Sequence, residues 1–190
     1  MIPRLFEWVD TQAPQDLEGT SGTRECRGRL AIIPYPRGNE KLLEEIRYFK
    51  SRNVDVLVSL LTPAEAQRLG LEAEQGWCET AGIRFLNHPI SDHSIPSDDA
   101  EMDGFLESLA TELADGHSIL LHCFAGIGRS GLTACALMVR AFGYSVAEAC
   151  QRVSDARGID VPETTAQHQW LTAYAARFSG QEPSAGRADF

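Results

Sequence analysis

A cysteine and an arginine separated by five residues form the most reactive pattern in this 190-residue chain. Cys123 and Arg129 lie within the sequence ILLHCFAGIGRSGLTACAL. An ionised thiol is a nucleophile, and a guanidinium binds two oxygens of a phosphoryl group through paired hydrogen bonds. The pattern therefore predicts that Cys123 attacks a phosphate ester while Arg129 holds the phosphoryl group.

The segment between these two residues is suited to bind an anion. We expect Gly126 and Gly128 to adopt positive φ and to turn the backbone N–H groups inward. Such N–H groups at a helix N-terminus bind anions and favour the thiolate form of Cys123. Together with Arg129, the predicted substrate-binding residues are Phe124, Ala125, Gly126, Ile127 and Gly128.

Three neighbouring side chains are further candidates: Ser130 as a catalytic residue, His122 as a supporting one and Phe124 as a substrate-binding one. His122 precedes the nucleophile and is predicted to hydrogen-bond the loop backbone. Ser130 is predicted to donate its hydroxyl to the thiolate, which helps sulfur to leave when the covalent intermediate breaks down. Phe124 is a candidate for the mouth of the pocket, where it would touch the substrate.

The spacing alone is a weak signal, because Cys78 and Arg84 form a second match. Cys123 follows a buried-strand pattern and precedes a buried-helix pattern, whereas Cys78 lies in a helix-to-strand connection. We therefore interpret Cys78 as a core or surface residue without a catalytic role. The five cysteines are odd in number and widely spaced, which does not indicate a disulfide framework.

Apolar patterns predict strands that alternate with helices. The predicted strands are 30–35, 54–61, 83–90 and 118–123. The predicted helices are 39–52, two short ones within 63–81, one that ends near Asp115, and then 132–143, 145–157 and 163–178. Ser97 or Asp98 is expected to cap the helix that follows the loop 91–99.

This alternation predicts an α/β fold, a single domain with a mostly parallel central sheet of four to five strands flanked by helices. Ligands of such sheets bind outside the carboxyl ends of the strands, where the strand 118–123 delivers Cys123. Polar and Gly-rich termini predict an N-terminal extension at 1–28, a catalytic domain at 29–178 and a flexible C-terminal tail at 179–190.

The segment HCFAGIGRSG resembles the signature loop of the protein tyrosine and dual-specificity phosphatases, and HPISDHSIPSD (88–98) resembles their general-acid loop. The similarity covers roughly residues 30–178 and is strongest to the kinase-associated phosphatase branch. By this resemblance, Asp92 protonates the leaving oxygen and later activates water. The resemblance also implies a cysteinyl-phosphate intermediate and requires neither a metal nor another cofactor.

One stretch departs from the family pattern. VPETTAQHQW (161–170) resembles the glutamine-bearing segment, but Glu163 stands where tyrosine-specific members carry a water-orienting glutamine. Gln167 is retained and is a candidate supporting residue, with a structural role as the alternative. The chain also lacks a counterpart to the long N-terminal loop that clamps phosphotyrosine, so a shallower, dual-specificity pocket is favoured.

Other acidic and histidine residues have simpler interpretations. Asp98 and Asp99 are rival acids, but both precede a predicted helix, where carboxylates stabilise the N-terminus. His88 and His93 have no third ligand near them in sequence, so no metal site is predicted.

The charge and the apolar content of the sequence argue against some classes of binding partner. The formal net charge of −10 argues against nucleic acid binding. No apolar run approaches the ~18 residues of a membrane span, and the N-terminus lacks a secretory pattern. We therefore expect a cytoplasmic protein. The oligomeric state is not predicted.

These observations favour a phosphoprotein phosphatase that acts on phosphotyrosine, with phosphoserine and phosphothreonine as further candidates. A phosphoinositide or inositol phosphate phosphatase is the enzyme alternative, although relatives of that kind tend to carry lysine in the signature loop and FAGIG has none. A phosphate-dependent binding module is the non-enzyme alternative. It would require the loss of the nucleophile, the arginine or the acid, and all three are present.

Overall fold

The computed structural model describes residues 5–11 and 28–177. Within these ranges, a four-stranded parallel sheet has the order β1-β4-β2-β3. Its strands are β1 (Leu30–Pro34), β2 (Val56–Ser59), β3 (Arg84–Asn87) and β4 (Ile119–Cys123). The helices are α1 (Leu42–Ser51), α2 (Pro63–Arg68), α3 (Glu74–Ala81), α4 (Asp99–Ala114), α5 (Gly128–Phe142), α6 (Val146–Arg157) and α7 (Thr165–Ala176). The predicted α/β fold class is confirmed.

Strand β4 lies in the interior of the sheet, and its five residues are all buried. Side chains alternate along it between the two faces. Ile119, Leu121 and Cys123 belong to the core formed with α4, α5, α6 and α7. Leu120 belongs to the core on the other face, with α1 and α3. The strand therefore carries Cys123 to the carboxyl edge of the sheet on the α5 side.

Several boundaries differ from the predicted ones. Helix α5 begins at Gly128 instead of 132, because its first turn, Gly-Arg-Ser-Gly, is helical without an apolar pattern. Helix α7 begins at Thr165 instead of 163, because Thr164 caps it by accepting a hydrogen bond from the Gln167 backbone N–H. Strands β2 and β3 span only the residues that pair with their neighbours.

Asp98 and Asp99, the two acidic residues at the start of α4, have different roles. Asp98 is the N-cap and accepts hydrogen bonds from the backbone N–H groups of Ala100 and Glu101. The Asp99 carboxylate accepts the indole N–H of Trp170 at 2.8 Å and also binds Arg177. The hydrogen bond from Trp170 lowers the pKa of Asp99. Asp98 thus caps the helix, as expected, whereas the Asp99 carboxylate binds Trp170 of α7 and Arg177 instead of the helix start.

Residues 5–11 were predicted to belong to the N-terminal extension, yet they pack against the domain. Trp8 forms an antiparallel bridge with Ala31, and the Val9 N–H donates to Leu30 O at 2.7 Å. Phe6 and Val9 are buried. The rest of the extension up to residue 27, and the predicted tail at 179–190, lie outside the described residues. The division into extension, domain and tail stays a prediction.

Across the described ranges, no helix has the length and apolar character needed to cross a membrane.

Candidate active site

The nucleophile candidate lies at the end of β4 beside the first turn of α5. Cys123 is 2% exposed, and its Sγ is 3.2 Å from the hydroxyl oxygen of Ser130, which is itself fully buried. The hydroxyl can therefore donate to the sulfur, and the catalytic role predicted for Ser130 stays a prediction. The loop between Cys123 and the start of α5 at Gly128 lies at the carboxyl edge of the sheet.

The two loop glycines differ in conformation. Gly126 has φ 71°, and a Cβ there would lie 2.6 Å from the Ile33 carbonyl, so both its backbone angle and its surroundings require glycine. Gly128 does not have positive φ, because it is the first residue of α5. The prediction for Gly128 is therefore wrong. A Cβ there would lie 2.9 Å from Glu163 Oε2, so this glycine permits the close approach of α5 to Glu163.

Arg157, at the end of α6, holds the outer side of the loop. Its Nε donates to Gly126 O at 2.8 Å and its Nη2 to Ala125 O at 3.4 Å. In a trans peptide the C=O and the next N–H point in opposite directions, so the N–H groups of Gly126 and Ile127 point away from Arg157. Burial lowers the pKa of Arg157, and the charge of Cys123 opposes this effect. The sequence analysis missed Arg157.

The Arg129 guanidinium is almost completely buried and held by three partners. It donates to both carboxylate oxygens of Glu65, at 2.9 and 3.0 Å, and to Ile90 O at 3.0 Å. Its Nη2 also lies 3.0 Å from Asp92 Oδ1. Burial alone would lower the pKa of Arg129, but Glu65, Cys123 and Asp92 outweigh it and raise the pKa.

These contacts occupy both terminal nitrogens of Arg129. Nη1 donates to Glu65 and to Ile90 O, and Nη2 contacts Glu65 and Asp92. Of the three guanidinium nitrogens, Nε alone takes no part in these contacts. A guanidinium has five N–H donors. A phosphoryl group can therefore take a second hydrogen bond from Arg129 only when Asp92 releases Nη2. Asp92 and a bound phosphoryl group compete for the same donor.

Glu65 is a second residue that the sequence analysis missed. It belongs to the capping box of α2, in which Thr62 and Glu65 exchange side-chain and backbone hydrogen bonds. Burial would raise its pKa, but hydrogen bonds from Arg129 and Thr62 outweigh burial and lower the pKa to about 2. The carboxylate is thus ionised at neutral pH, and it orients Arg129.

We expect Glu65→Gln to reduce kcat/KM by about 10²-fold, because misplacement of a phosphate-binding group by about 1 Å has that cost. The lowered pKa also makes the Glu65 contribution to stability present above pH 4.5 and lost as the pH falls toward 2. The difference in unfolding free energy between wild type and variant should therefore shrink below pH 4.5 in urea titrations. A difference that grows at low pH would contradict this role, and the exposed Glu79→Gln is the control.

The predicted acid loop brings Asp92 to this cluster. The Asp92 side chain is half exposed, and its Oδ1 accepts the His93 backbone N–H at 3.1 Å. His93 has φ 56°, and its ring lies between two carboxylates, with Nε2 3.6 Å from Asp92 and Nδ1 3.5 Å from Glu163. Asp92, His93 and Glu163 thus form a polar rim beside the signature loop.

Gln167 lies near the loop, but its amide is already bonded. Its Nε2 donates to Ser94 O at 3.0 Å, and its Oε1 accepts the backbone N–H groups of Glu163 and Thr164 at 3.2 Å. The residue is fully buried. These bonds favour the structural alternative, in which Gln167 ties the acid loop to the start of α7.

His122 was predicted to hydrogen-bond the loop backbone, and that prediction is wrong. Neither ring nitrogen makes a hydrogen bond to any described residue. The ring instead projects to the opposite face of the sheet, because neighbouring strand residues alternate. There its Nε2 lies 3.2 Å from Oε1 of Glu74, at the start of α3.

Phe124 lies at the surface of the loop, as expected for the mouth of a pocket. It is 39% exposed, and its ring packs against Tyr35 with centroids 5.3 Å apart. The Tyr35 backbone N–H also donates to Phe124 O at 3.2 Å. The two rings provide a partly exposed aromatic surface beside the loop.

The second Cys-x5-Arg match has no comparable surroundings. Cys78 lies inside α3, is fully buried, and has a raised pKa because of burial and the neighbouring Glu74 and Glu79. Arg84 pairs with Glu112 instead. Over residues 5–11 and 28–177, no group of three or more His, Cys, Asp or Glu side chains is arranged to hold a metal ion.

Comparison with known proteins gives one consistent group. The profile of the family described as "Polymorphic toxin system, DSP-PTPase phosphatase" matches residues 33–142. The human protein "Cyclin-dependent kinase inhibitor 3" is 34% identical over 172 residues, which are 85% of this chain and 79% of that protein. The mouse protein of that name is 36% identical over 90 residues, 47% of this chain but only 42% of its own length.

The fold has a clear match among solved structures. The crystal structure of a kinase-associated phosphatase with its catalytic cysteine replaced by serine superposes with a TM-score of 0.79. The alignment covers 96% of this chain and 99% of that one, at 21% identity.

Proposed function

Because the chain belongs to the DSP-PTPase family of dual-specificity protein phosphatases, we propose that it hydrolyses phosphotyrosine in proteins through a phosphorylated Cys123. Phosphoserine and phosphothreonine are further substrates in this proposal. Family membership confirms the resemblance carried by HCFAGIGRSG. The roles of individual residues are our own assignment.

In the first step, the Cys123 thiolate attacks phosphorus, so that an S–P bond forms while the ester P–O bond breaks. Asp92 gives its proton to the leaving oxygen, which departs as a neutral alcohol. Arg129 and the loop N–H groups hold the phosphoryl oxygens. Asp92 leaves Nη2 of Arg129 when the phosphoryl group arrives, which frees the carboxyl group for this transfer.

In the second step, water attacks phosphorus and the S–P bond breaks, which releases inorganic phosphate. Asp92, now ionised, takes a proton from the water. The Ser130 hydroxyl, 3.2 Å from the sulfur, stabilises the departing thiolate. The second step regenerates the Cys123 thiolate and the protonated Asp92, so the enzyme is ready for another turnover.

One observation carries this proposal. The Cys123 sulfur, the Arg129 guanidinium and the Asp92 carboxylate come from β4, α5 and the loop after β3, and they meet at the carboxyl edge of one sheet. In α/β sheets that edge is where ligands bind. A binding module would not need an acid in contact with the phosphate-binding arginine.

The substrate class follows from the charge and shape of the surroundings. The loop sequence FAGIG has no lysine and the net charge is −10, so a substrate with several phosphates would be repelled. Tyr35 and Phe124 offer aromatic surface beside the loop, and aromatic pairs contribute about 0.5–1.5 kcal/mol beyond burial. These features favour a phosphotyrosine side chain over phosphoserine, and either over an inositide.

A panel of substrates tests the proposal. We expect kcat/KM to be highest for phosphotyrosine peptides, lower for phosphoserine and phosphothreonine peptides, and lowest for polyphosphorylated inositides. Phe124→Ala should reduce the phosphotyrosine preference by about two- to tenfold and leave phosphoserine hydrolysis nearly unchanged. A clear preference for inositides would overturn the assignment in favour of the lipid or inositol phosphate alternative.

We also place this activity in the cytoplasm. The proposed thiolate chemistry needs reduced cysteine, which a reducing compartment preserves. The expectations of no nucleic acid partner and no membrane partner stay predictions.

A further inference from the structure

Glu163 is a charged residue of the polar rim that the proposed mechanism does not use. It lies between α6 and α7, and its side chain is 40% exposed. A Cβ at Gly128 would lie 2.9 Å from its Oε2, so the carboxylate lies against the first residue of α5, where the signature loop ends. A peptide that delivers a phosphoryl group to Cys123 therefore passes close to this carboxylate.

Contacts on two sides hold Glu163 at the rim. Its backbone N–H donates to Gln167 Oε1 at 3.2 Å, which connects it to the start of α7. Its Oε2 lies 3.5 Å from Nδ1 of His93, in the acid loop. The part of the carboxylate that stays exposed is thus available to a bound substrate.

The charged side chains around Glu163 leave the rim negative. A histidine carries at most one positive charge, so His93 cannot offset both Asp92 and Glu163, the two carboxylates on either side of its ring. Asp160, three residues before Glu163, is exposed and adds another negative charge. Arg157 directs its Nε and Nη2 donors to carbonyl groups of the signature loop. The rim therefore favours a positively charged group of the substrate.

Apolar surface accompanies this charge. Of the five large apolar side chains that are exposed among the described residues, three are on the loops around Cys123, namely Ile95, Phe124 and Ile159. Ile95 is two residues after His93, and Ile159 is four residues before Glu163. An arginine or lysine side chain packs its methylene stem on apolar surface while its charged head reaches a carboxylate. These loops offer both parts of such a site.

We propose that Glu163 is a specificity-determining residue, which selects phosphoproteins with an arginine or lysine within two residues of the phosphorylated side chain. The inference rests on the proposed phosphoprotein phosphatase activity. An extended peptide advances about 3.3–3.6 Å per residue, so these neighbours lie over the rim when the phosphoryl group reaches the signature loop. The basic head pairs with Glu163, and its stem covers Ile95 or Ile159.

This role differs from an effect of Glu163 on the attacking water. The dephosphorylated peptide has left before water attacks the cysteinyl-phosphate, so any effect of Glu163 on that step is the same for every peptide. A preference among peptides appears instead in kcat/KM, which reports the steps from free enzyme and substrate to the cleavage of the ester bond. The two roles are therefore separable by kinetics.

The test compares phosphotyrosine peptides that differ at one position, from two residues before to two residues after the phosphotyrosine. Each series carries arginine, glutamine or glutamate there. At one or more of these positions, we expect kcat/KM for arginine to exceed that for glutamine by about two- to fivefold, the effect of one exposed ion pair. Glutamate should fall below glutamine by a similar factor. The preference should weaken at about 1 M salt, where the screening length is ~3 Å.

Glu163→Gln should remove this preference, and Glu163→Lys should reverse it. The matched control is Glu79→Gln, which changes the net charge equally at an exposed residue of α3 and should keep the wild-type preference. Glu79 lies shortly before β3 begins, near the amino edge of the sheet and so at the opposite edge from Cys123.

Three results would overturn the inference. The same preference in wild type and Glu163→Gln would do so, and a kcat change equal for all peptides would then place Glu163 in the second step. Loss of the preference in Glu79→Gln as well would mean that only the net charge matters. In both cases, hydrolysis that depends on Cys123 would leave the proposed function standing. No hydrolysis of any phosphopeptide would overturn the inference and the proposed function together.

Discussion

Cys123→Ser is expected to abolish turnover of nitrophenyl phosphate, with a loss of roughly 10⁴-fold or more, as for removal of other enzymatic nucleophiles. A serine hydroxyl is not ionised near neutral pH, so the attacking group is lost. The loop N–H groups and Arg129 do not depend on sulfur. Titration calorimetry with inorganic phosphate should therefore still detect binding to the variant.

Cys78→Ser is the matched control, since it changes the other cysteine of a Cys-x5-Arg pattern. Cys78 is buried within α3, so its replacement should lower stability somewhat and leave kcat/KM close to the wild-type value. An inactive Cys78→Ser together with an active Cys123→Ser would reverse the site assignment.

Asp92→Asn is expected to have the second-largest effect, and its size should depend on the leaving group. A positioned acid contributes about 10²- to 10⁴-fold. A serine or tyrosine oxygen needs the proton, whereas nitrophenolate leaves readily without it. Phosphopeptide hydrolysis should therefore slow severely, nitrophenyl phosphate hydrolysis should slow less, and the alkaline limb of the pH–rate profile should flatten.

The contact between Asp92 and Arg129 adds a second expectation. Asp92 Oδ1 lies 3.0 Å from Nη2 of Arg129 and competes with a phosphoryl oxygen. Removal of its charge should increase the affinity for inorganic phosphate several-fold while turnover falls. Asp98→Ala, which removes the α4 cap, should cost about 1 kcal/mol of stability and leave the pH profile unchanged. Equal slowing of all leaving groups with unchanged phosphate affinity would mean that Asp92 only positions its loop.

The nucleophile and arginine were predictable because their signal is local. A buried strand, a glycine-containing loop and a buried helix follow one another within about twenty residues, so the sequence itself contains their arrangement. Helix α5 was placed four residues too late because its first turn contains the functional Arg129 and Ser130 instead of an apolar repeat. Positive φ was wrongly predicted for Gly128 because this residue belongs to that first helical turn and not to the loop.

Partners that come from distant elements were not predictable in this way. The Thr62-Pro-Ala-Glu65 sequence signals a helix start, but nothing in it indicates that Glu65 reaches Arg129, 64 residues later. Arg157 likewise reaches the loop because α6 packs beside it, and its own sequence does not indicate that contact. His122 was assigned to the loop from its position in sequence, whereas strand alternation directs its side chain to α3.

Trapping of the covalent intermediate tests the central claim most directly. Enzyme mixed with a phosphotyrosine peptide would be quenched in acid within milliseconds, digested, and analysed by mass spectrometry for phosphorylated cysteine. The account predicts phosphate on the peptide that contains Cys123, at a level that falls as substrate is exhausted, and none on Cys78. Hydrolysis without any phosphorylated cysteine, or with phosphate on another residue, would contradict it.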